Sequence, residues 1–437
     1  MIETSRDNKI LSPGDCQIEM VVLSSYNGFQ IDITSHITEI VINESMDYSC
    51  LSGYIHIADN INLMRNVPLI GNEHVTISFV TPSRPKKIQK KFFCYKTDSR
   101  SEDNNNKGVI VYRLHFVSEE FVTSSKKKIS LSLRDMKYSD MVRDIFNKNL
   151  NTSKNLTTQP TVENKNLIVP YMSPLDAIDM IALKSVGENA RDKSYMFYED
   201  LDGFYFCNIN YYAIDRTPKV EYTWFKQNLS EERDPVVLKN IEKEFYRIEN
   251  YEILTGNNTL NNISNGLYGS MLLLHDITFK TVNAIKFSYN SDFNKLTTIY
   301  NNGILPKNND RFSSYNLAHY RMYPRQTYAY DNVEVNDDYD RMVLERNAHM
   351  AQLENSKLTI LVAGDSQRRI GEVIAVNIPS SQPGIGNEEQ IDPYLSGNYI
   401  VTQITHMISP FYYKMRLYLE RDSMPLAYPE SKEVELS

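Results

Sequence analysis

Tryptophan, cysteine and long apolar runs are scarce in this sequence of 437 residues, which holds one tryptophan and four cysteines. No cysteine lies in a CxxC pair or near a histidine at metal-ligand spacing. We therefore expect reduced thiols with structural roles at Cys16, Cys50, Cys94 and Cys207. No apolar run approaches the ~18 residues that a membrane-spanning helix needs. The first residues show no basic segment followed by an apolar one, so we expect no secretion signal and no membrane partner.

Positive charge is in short supply, because 47 Lys and Arg face 55 Asp and Glu, for a formal net charge of −8. Proteins that grip nucleic acid do so with clustered Lys and Arg. The chain is therefore a poor candidate for a protein that grips nucleic acid, although its charge is compatible with a surface past which nucleic acid slides. The basic run at 84–91 ("RPKKIQKK") fits a solvated loop, with a DNA or partner contact as the alternative. Residues 124–128 ("SSKKK") fit a solvated loop or a subunit interface.

Catalytic motifs are absent from the sequence, which contains no GxSxG, no phosphate-binding glycine loop and no HExxH. A turn explains the one Gly-Asp-Ser, at Gly364, Asp365 and Ser366. We therefore expect a protein that is not an enzyme, without catalytic, cofactor-binding or metal-binding residues and without a cofactor. A cell-wall hydrolase that uses paired carboxylates from distant residues is the alternative.

The eight histidines are scattered. Neighbouring residues of a strand point to opposite faces, so His275 and Asp276 are not expected to pair. His406 is expected on a strand face in a structural role. His319 and His349 have no partner at ligand spacing.

Clustered carboxylates have simple explanations. Residues 199–203 ("EDLDG") lack the spaced oxygen ligands of a calcium loop, so we expect a solvated turn there. Asp337, Asp338 and Asp340 fit the start of a charged helix.

Tyrosine, by contrast, is abundant, with 30 residues. Tyrosine-rich strands suit sheets whose faces meet other subunits, since the side chain has an apolar body and a polar tip. Between residues 17 and 118, alternating runs separated by turn signals predict seven short strands, as in a barrel or sandwich. Tyr26, Asn27 and Gly28 mark a hairpin, because Asn-Gly is a strong hairpin signal.

Residues 129–235 have a mixed pattern. Helical spacing predicts a helix over 138–150 ("YSDMVRDIFNKNL"). A second helix is predicted over 173–187, with Ser173 as its N-cap, Pro174 in its first turn and Gly187 at its end. A hairpin follows around Asp202 and Gly203.

Strand patterns return at 245–254, 269–281 and 358–420, and a helix is predicted over 338–355. Residues 291–337 are rich in Asn, Asp and Tyr with little periodicity, so we expect a partly extended arm. The last dozen residues are expected to fray.

The sequence repeats a series of four strands. Gly71 to Arg113 spans 42 positions, and Gly371 to Arg416 spans 45. The matching segments are "GYIHIADN" with "LTILVAGD", "IGNEHVTISFVTP" with "IGEVIAVNIP", "FFCYKTD" with "YIVTQIT", and "YRLHF" with "MRLYL". The same order with similar gaps predicts an internal duplication. Three copies of such a chain place six similar barrels in a ring, which suits a protein that joins a three-fold object to a six-fold one.

The order of these elements resembles that of the baseplate central hub proteins of contractile-tailed bacteriophages, the T-even-like tail hub family. The residues that carry this resemblance, over about 17–423, are "LSGYIHIAD", "LIGNEHVTISFVTP", "YSDMVRDIF", "FYEDLDGFYF", "RRIGEVIAVNIP", "DPYLSGNYIVTQITHMI" and "YKMRLYLERDS". The resemblance implies a virion protein of the tail baseplate, assembled in the host cytoplasm. It implies a homotrimer whose partners are a central spike, tail tube or tube-initiator proteins and baseplate wedge proteins. It also implies a channel through which phage DNA passes without specific binding.

The expected fold class is mainly β with α+β parts: two tube-like antiparallel β-barrel domains from an internal duplication, a mixed α/β domain and an insertion. The expected divisions are a first barrel (1–122), a mixed domain (123–236), a second barrel (237–290 and 356–423), an inserted arm and helix (291–355) and a C-terminal tail (424–437). The alternative to a phage hub is the hub component of another contractile injection machine or of a long-tailed phage tail tip. No β-helix repeats follow residue 423, as a fused spike would require.

Overall fold

The computed structural model describes most of the chain. The described residues are 14–63, 69–84, 87–102, 108–189, 192–211, 217–224, 245–256, 258–276, 280–293, 296, 298–304, 319–324, 337–380 and 391–426.

Seven strands and a short 3-10 helix (Thr34–His36) form the part that we call the first half. The strands are β1 (Gln17–Ser24), β2 (Gln30–Asp32), β3 (Ile37–Ser45), β4 (Ser52–Asp59), β5 (Glu73–Val80), β6 (Ile88–Glu102) and β7 (Ile110–Val117). Along β4, buried and half-buried residues alternate, as expected for a strand with one face on a core.

The middle domain follows, with three helices against short strands. Its elements are α1 (Glu119–Ser125), β8 (Ile129–Met136), α2 (Tyr138–Asn149), β9 (Leu156–Thr158), β10 (Lys165–Met172), α3 (Pro174–Ala182), β11 (Tyr195–Glu199) and β12 (Phe204–Asn208).

The rest of the chain contains what we call the second half, together with a smaller unit inserted in it. The strands of the second half are β13 (Glu221–Trp224), β14 (Arg247–Gly256), β18 (Ser356–Ala363), β19 (Val373–Asn377), β20 (Gly397–Ile408) and β21 (Tyr413–Glu420). The inserted elements are α4 (Thr259–Asn265), β15 (Gly269–Asp276), β16 (Thr281–Ser288), α5 (Tyr289–Asp292), β17 (His319–Pro324) and α6 (Asp337–Glu354).

Both halves lie in one sheet of 13 strands, in the order β19-β13-β14-β18-β21-β20-β3-β4-β7-β6-β5-β1-β2. An additional pairing of β19 with β20 closes the second half into a six-stranded barrel. The expected fold class, mainly β with α+β parts, is therefore confirmed.

The halves share a strand order. The first half reads β3-β4-β7-β6-β5 and the second reads β14-β18-β21-β20-β19, with antiparallel neighbours throughout both series. The sixth position differs, because β1 runs antiparallel to β5 whereas β13 runs parallel to β19.

Three hydrophobic clusters organise the described chain. The largest contains buried residues of both halves, such as Ile55 and Ile360, and includes Tyr198 and Leu201 from the middle domain. A second cluster lies within the middle domain, and a third packs α6 on the inserted strands. The two halves are therefore fused through one core.

The hairpin at Tyr26, Asn27 and Gly28 is confirmed by the pairing of β1 with β2. The helix predicted over 138–150 is confirmed as α2. The Ser173 cap of α3 is confirmed too, since its side chain accepts a hydrogen bond from the Asp176 N–H. The predicted end at Gly187 is wrong, because α3 ends at Ala182. Gly187 instead lies in a bridge with Thr161.

The helix predicted over 338–355 is confirmed as α6. Most of the expected arm, at 305–318 and 325–336, lies outside the described residues, as does the expected frayed end from 427 onward. Two described parts of 291–337 are packed: β17 pairs in parallel with β15, and the Ile299 N–H donates to Asp422. The described part is therefore not a simple extended arm.

Candidate assembly interface

Strands β3 and β20 connect the two halves through six residue pairs, a ladder that we call the joint. Residues 40–45 run antiparallel to residues 403–408, from Ile40 opposite Ile408 to Ser45 opposite Gln403. Each strand also keeps a neighbour in its own half, β4 for β3 and β21 for β20. Since directly opposite residues share a face, both faces of the sheet continue across the joint.

One of these faces, which we call the polar face, carries half-buried and exposed side chains of both halves, apart from Val41, which is 3% exposed. Three rows of opposite residues define it: Lys414, Met407, Val41, Tyr54, His115 and Lys96; Glu39, His56, Arg113 and Asp98; and Arg416, Thr405, Asn43 and Ser52. Across the joint, Thr405 Oγ1 donates to Asn43 Oδ1 at 2.9 Å.

Charges of both signs alternate on the polar face. His115 Nε2 lies 2.9 Å from Asp98 Oδ2, and Lys96 Nζ lies 2.8 Å from the same oxygen. The Arg113 guanidinium lies 5.3 Å from the centroid of the Tyr54 ring. The acidity of the whole chain is therefore not concentrated on this face.

The opposite face is buried and holds a hydrogen-bonded histidine–glutamate pair beneath the joint. His406 and Glu44 are 0% and 1% exposed, and His406 Nε2 lies 3.1 Å from Glu44 Oε1. The other ring nitrogen of His406 lies 2.8 Å from the Tyr413 hydroxyl. Glu44 Oε1 also accepts a hydrogen bond from the Leu201 N–H at 3.1 Å. The structural role expected for His406 is confirmed. The sequence did not indicate that Glu44 is its partner, because the only unusual feature of Glu44 is its position in an apolar strand.

The turn at 199–203, which we call the acidic turn, inserts into this buried region. Glu199 and Asp200 are 1% and 3% exposed, so the expectation of a solvated turn is wrong. Glu199 Oε1 binds Lys154 Nζ at 2.6 Å, and Glu199 Oε2 accepts from the Leu51 N–H at 2.9 Å. Burial raises the pKa of Glu199, although the charge of Lys154 acts to lower it. Tertiary packing, which the local sequence does not encode, buries these acids.

Asp202, in the same turn, holds one arginine from each half. Arg84 Nη1 lies 2.6 Å from Asp202 Oδ1, and Arg369 Nη2 lies 2.6 Å from Asp202 Oδ2. Burial acts to raise the pKa of Asp202, but the hydrogen bond and charge of Arg84 and the charge of Arg369 outweigh it and lower the pKa. The middle domain thereby ties the two halves together.

Asp200 shapes the acidic turn from inside. Its Oδ1 accepts from the N–H groups of Asp202 and Gly203 at 2.6 and 2.9 Å. Burial, together with the charge of Glu44, raises the pKa of Asp200 to about 7. The Asp200 carboxyl is therefore partly protonated near neutral pH.

A second contact joins the halves at the turn of Gly364, Asp365 and Ser366. Ser366 is 0% exposed, and its Oγ lies 2.6 Å from Thr81 Oγ1 at the end of β5. Asp365 Oδ2 binds Arg368 Nε at 3.0 Å. The prediction of a turn is confirmed, and the turn serves the association of the halves.

The basic runs are partly engaged. In the first run, Arg84 binds Asp202, Lys87 lies 4.0 Å from Glu19, and the chain continues into β6 from Ile88. The solvated-loop expectation therefore holds for only part of this run, whose positions 85 and 86 lie outside the described residues. The second run ends α1, where Lys126 Nζ lies 5.8 Å from the Phe93 ring centroid.

The remaining histidines and acids form no metal-ligand cluster in the described part of the chain. His349, without a predicted partner, is buried and contacts Ser194 Oγ through Nδ1 at 2.9 Å and Asp422 Oδ2 through Nε2 at 3.1 Å. His275 is an exposed residue of β15. The side chains of His319, Asp276 and the acids at 337, 338 and 340 lie outside the described residues.

All four cysteines are free thiols, as predicted. Cys50, Cys94 and Cys207 are buried and Cys16 is half-buried. Burial raises the pKa of Cys16 to about 12 and that of Cys207 to about 12, although a hydrogen bond from Tyr198 acts to lower the latter. Such thiols react slowly because the thiolate is the nucleophile.

Within the described ranges, no helix has both the length and the apolar character needed to cross a membrane.

Solved structures with a similar fold include two tail proteins. The tail protein from Neisseria meningitidis MC58 has a TM-score of 0.55 and 13% identity, over 94% of this chain and 99% of that chain. The 43 kDa tail protein of prophage MuSo2 from Shewanella oneidensis has a TM-score of 0.53 and 8% identity, over 93% of this chain and 100% of that chain. No protein-family model and no curated sequence matches the chain. At these identities the likeness establishes the fold, which this chain shares with both tail proteins over nearly its whole length.

Proposed function

We propose that this chain is a structural subunit of a phage tail baseplate hub. Three copies form a ring of near six-fold symmetry that joins a three-fold central spike to the six-fold tail tube. Its further partners are tube-initiator and baseplate wedge proteins, and its place is the tail of the virion, assembled in the host cytoplasm. The role is structural, without a catalytic step.

The observation that carries the proposal is the joint between two halves of matching strand order. A ring of six sheets needs two properties: the units must be alike, and each must meet the next edge to edge. Five strands match in order and direction, and β3 meets β20 along six residue pairs. We propose that the halves arose by duplication and that the chain divides into 1–122, 123–236, 237–290 with 356–423, 291–355 and 424–437.

The polar face is the surface that would line the hole of the ring. The opposite face is covered by the shared core and by the acidic turn, so it cannot meet solvent. DNA would pass along the polar face without specific binding. Lys96 lies against Asp98, and Lys414 Nζ lies 2.6 Å from Glu249 Oε2. Because both lysines have carboxylate partners, they attract the phosphates of DNA less strongly than free lysines would.

Likeness to two tail proteins over nearly the whole chain supports this proposal at the level of the fold. The alternative remains the hub component of another contractile injection machine or of a long-tailed phage tail tip. Both would use the same ring.

Sedimentation velocity over a concentration series tests the proposal. We expect a species of three times the chain mass, whose share grows with concentration. A strict monomer at the highest concentration would contradict the ring. For the cell-wall hydrolase alternative, a turbidity assay on purified cell walls is expected to show no lysis. Lysis that one carboxylate substitution abolishes would overturn the structural role.

A further inference from the structure

Strand β14 has an edge that is largely unoccupied in the described part of the chain. β13 pairs with it only at Arg247 and Ile248, whereas β18 covers the other edge as far as Gly256. Ile253 and Leu254 in this stretch are 49% and 45% exposed. An open strand edge with exposed apolar residues is a template for pairing with another chain.

Strand β6 has an edge of the same kind. β5 pairs with it from Ile88 to Cys94, whereas β7 covers its other edge as far as Glu102. Beyond Cys94, no strand among the described residues occupies the edge on the β5 side. Tyr95 is 49% exposed, and most residues after it are also exposed. β6, at 15 residues, therefore extends well past its partner.

The joint shows how two such edges meet. β20 holds the place in the second half that β6 holds in the first, and its edge is divided in the same way. Residues 397–400 of β20 pair with β19, and residues 403–408 pair with β3. β3 in turn holds the place of β14. β3 pairs with β20 inside the chain. In the described part of the chain, the equivalent strands, β14 and β6, are not paired with each other.

The register on the β14 side follows from the ladders. Val41 lies opposite Tyr54, and Glu252 lies opposite Thr359. Tyr54 and Thr359 are the second residues of the matching segments "GYIHIADN" and "LTILVAGD". Glu252 therefore stands where Val41 stands in the joint.

The register on the β6 side follows in the same way. Met407 lies opposite Lys414, and Ser101 lies opposite Val111. Lys414 lies two residues before the arginine of "MRLYL", and Val111 lies two residues before the arginine of the matching segment "YRLHF". Ser101 therefore stands where Met407 stands, opposite Val41 in the joint.

We propose that β14 of one copy pairs antiparallel with residues 96–102 of β6 in the next copy, with Glu252 opposite Ser101 and Tyr251 opposite Glu102. This inference rests on the proposed trimer and names its contact. The two strands are not paired within one chain of the structure: six strands lie between them, so seven spacings of about 4.8 Å separate them by about 34 Å along the sheet. The contact joins two different edges, so it closes into a ring only if the rotation between copies allows it.

Disulfide trapping tests the pairing in the full-length protein. Ser101→Cys with Glu252→Cys is expected to give covalent dimers and trimers on non-reducing gels after mild oxidation, and nothing larger than a trimer. Val41→Cys with Met407→Cys, at the equivalent places of the joint, is the matched control. It is expected to form its disulfide within one chain, without a gain in mass. The wild type and each single variant measure the background from the native thiols.

A second pair of variants keeps the test independent of cysteine chemistry. Ile253→Lys with Leu254→Lys is expected to weaken trimer formation at least tenfold in sedimentation experiments, because two charges would enter the paired edge. Tyr171→Lys, at an exposed aromatic residue of the middle domain, is expected to leave the trimer intact.

The outcomes separate the two claims. A wild-type trimer without a link between Ser101→Cys and Glu252→Cys, while the Val41 and Met407 control closes, would refute the strand pairing and leave the proposed function standing. A strictly monomeric wild type would refute the proposed function itself. Covalent products that extend beyond trimers would show an open chain of copies and overturn the closed ring.

Discussion

Removal of the Asp202 carboxylate should loosen the attachment of the middle domain to both halves. Asp202 receives two hydrogen bonds from Arg84, at 2.6 and 3.2 Å, and a third contact from Arg369 at 2.6 Å. Such bidentate arginine–carboxylate pairs are among the stronger polar contacts in proteins. Asp202→Ala leaves both arginines without this partner.

The expected loss of stability depends on how far the Arg84 and Asp202 side chains are exposed to solvent. The Arg84 and Asp202 side chains are 20% and 28% exposed, so solvent screens the pair only in part. We expect Asp202→Ala to lower the free energy of unfolding by about 2 kcal/mol. In a double-mutant cycle with Arg84→Ala, we expect a coupling energy of about 1 kcal/mol. Because the pKa of Asp202 is lowered in the folded state, this stabilisation is present above its ordinary pKa of about 4 and is lost as the pH falls through the folded pKa.

Urea unfolding followed by tryptophan fluorescence measures the effect. Trp224 is the single tryptophan, and its ring packs against Tyr251 in the second half at a centroid distance of 5.6 Å. The halves share one core, so we expect one transition to report both. The matched control is the cycle of Asp140 with Arg143, an exposed pair at 2.8 Å on α2, where we expect about 0.3 kcal/mol.

Equal coupling energies in the two cycles would show that the pair of Asp202 with Arg84 is no stronger than an exposed surface pair. The acidic turn would then behave as a solvated element, and Asp202 would not fasten the middle domain to the halves. A coupling between Asp202 and Arg84 that stayed unchanged as the pH fell through the titration of Asp202 would likewise contradict an ionic origin.

Three other substitutions test the buried region. Asp200→Asn should raise the free energy of unfolding at pH 8 by about 2 kcal/mol. Because the pKa of Asp200 is raised in the folded state, the wild type loses stability as the pH rises from about 4 to about 7. Urea unfolding across this range should show a weaker pH dependence of stability in the variant. Glu44→Ala should cost about 2–3 kcal/mol by leaving the buried His406 Nε2 and the Leu201 N–H without their acceptor, and Glu44→Gln clearly less, as read from urea midpoints. Gly53→Ala should cost about 3 kcal/mol or more, because the added Cβ would overlap the Val41 carbonyl oxygen; a wild-type urea midpoint would contradict that close contact.

Local patterns predicted the local structure well. Alternation and turn residues located the strands of the first half, and helical spacing located α2 and α6, because these signals depend on neighbours in the sequence. The end of α3 was misplaced because Gly187 has the character of a helix stop, yet it is used in a bridge to Thr161. The same glycine pattern can therefore mark a helix end or a bridge, and the local sequence does not distinguish the two.

Contacts between residues far apart in the chain could not be predicted from the sequence. The five acidic-turn residues look like a surface turn, and only the fold reveals that Glu199 has Lys154 as a partner and that Asp202 has two arginines. The repeat predicted two similar sheets, but neither the joint nor the reversed direction of β13 relative to β1 follows from alternating residues, since alternation carries no information on which edges meet.

Electron microscopy of the purified assembly, viewed end on, can show whether three chains form a ring. We expect a closed ring of three chains in which six similar lobes surround a central hole. A two-fold dimer, an open filament or a compact assembly without a hole would contradict it.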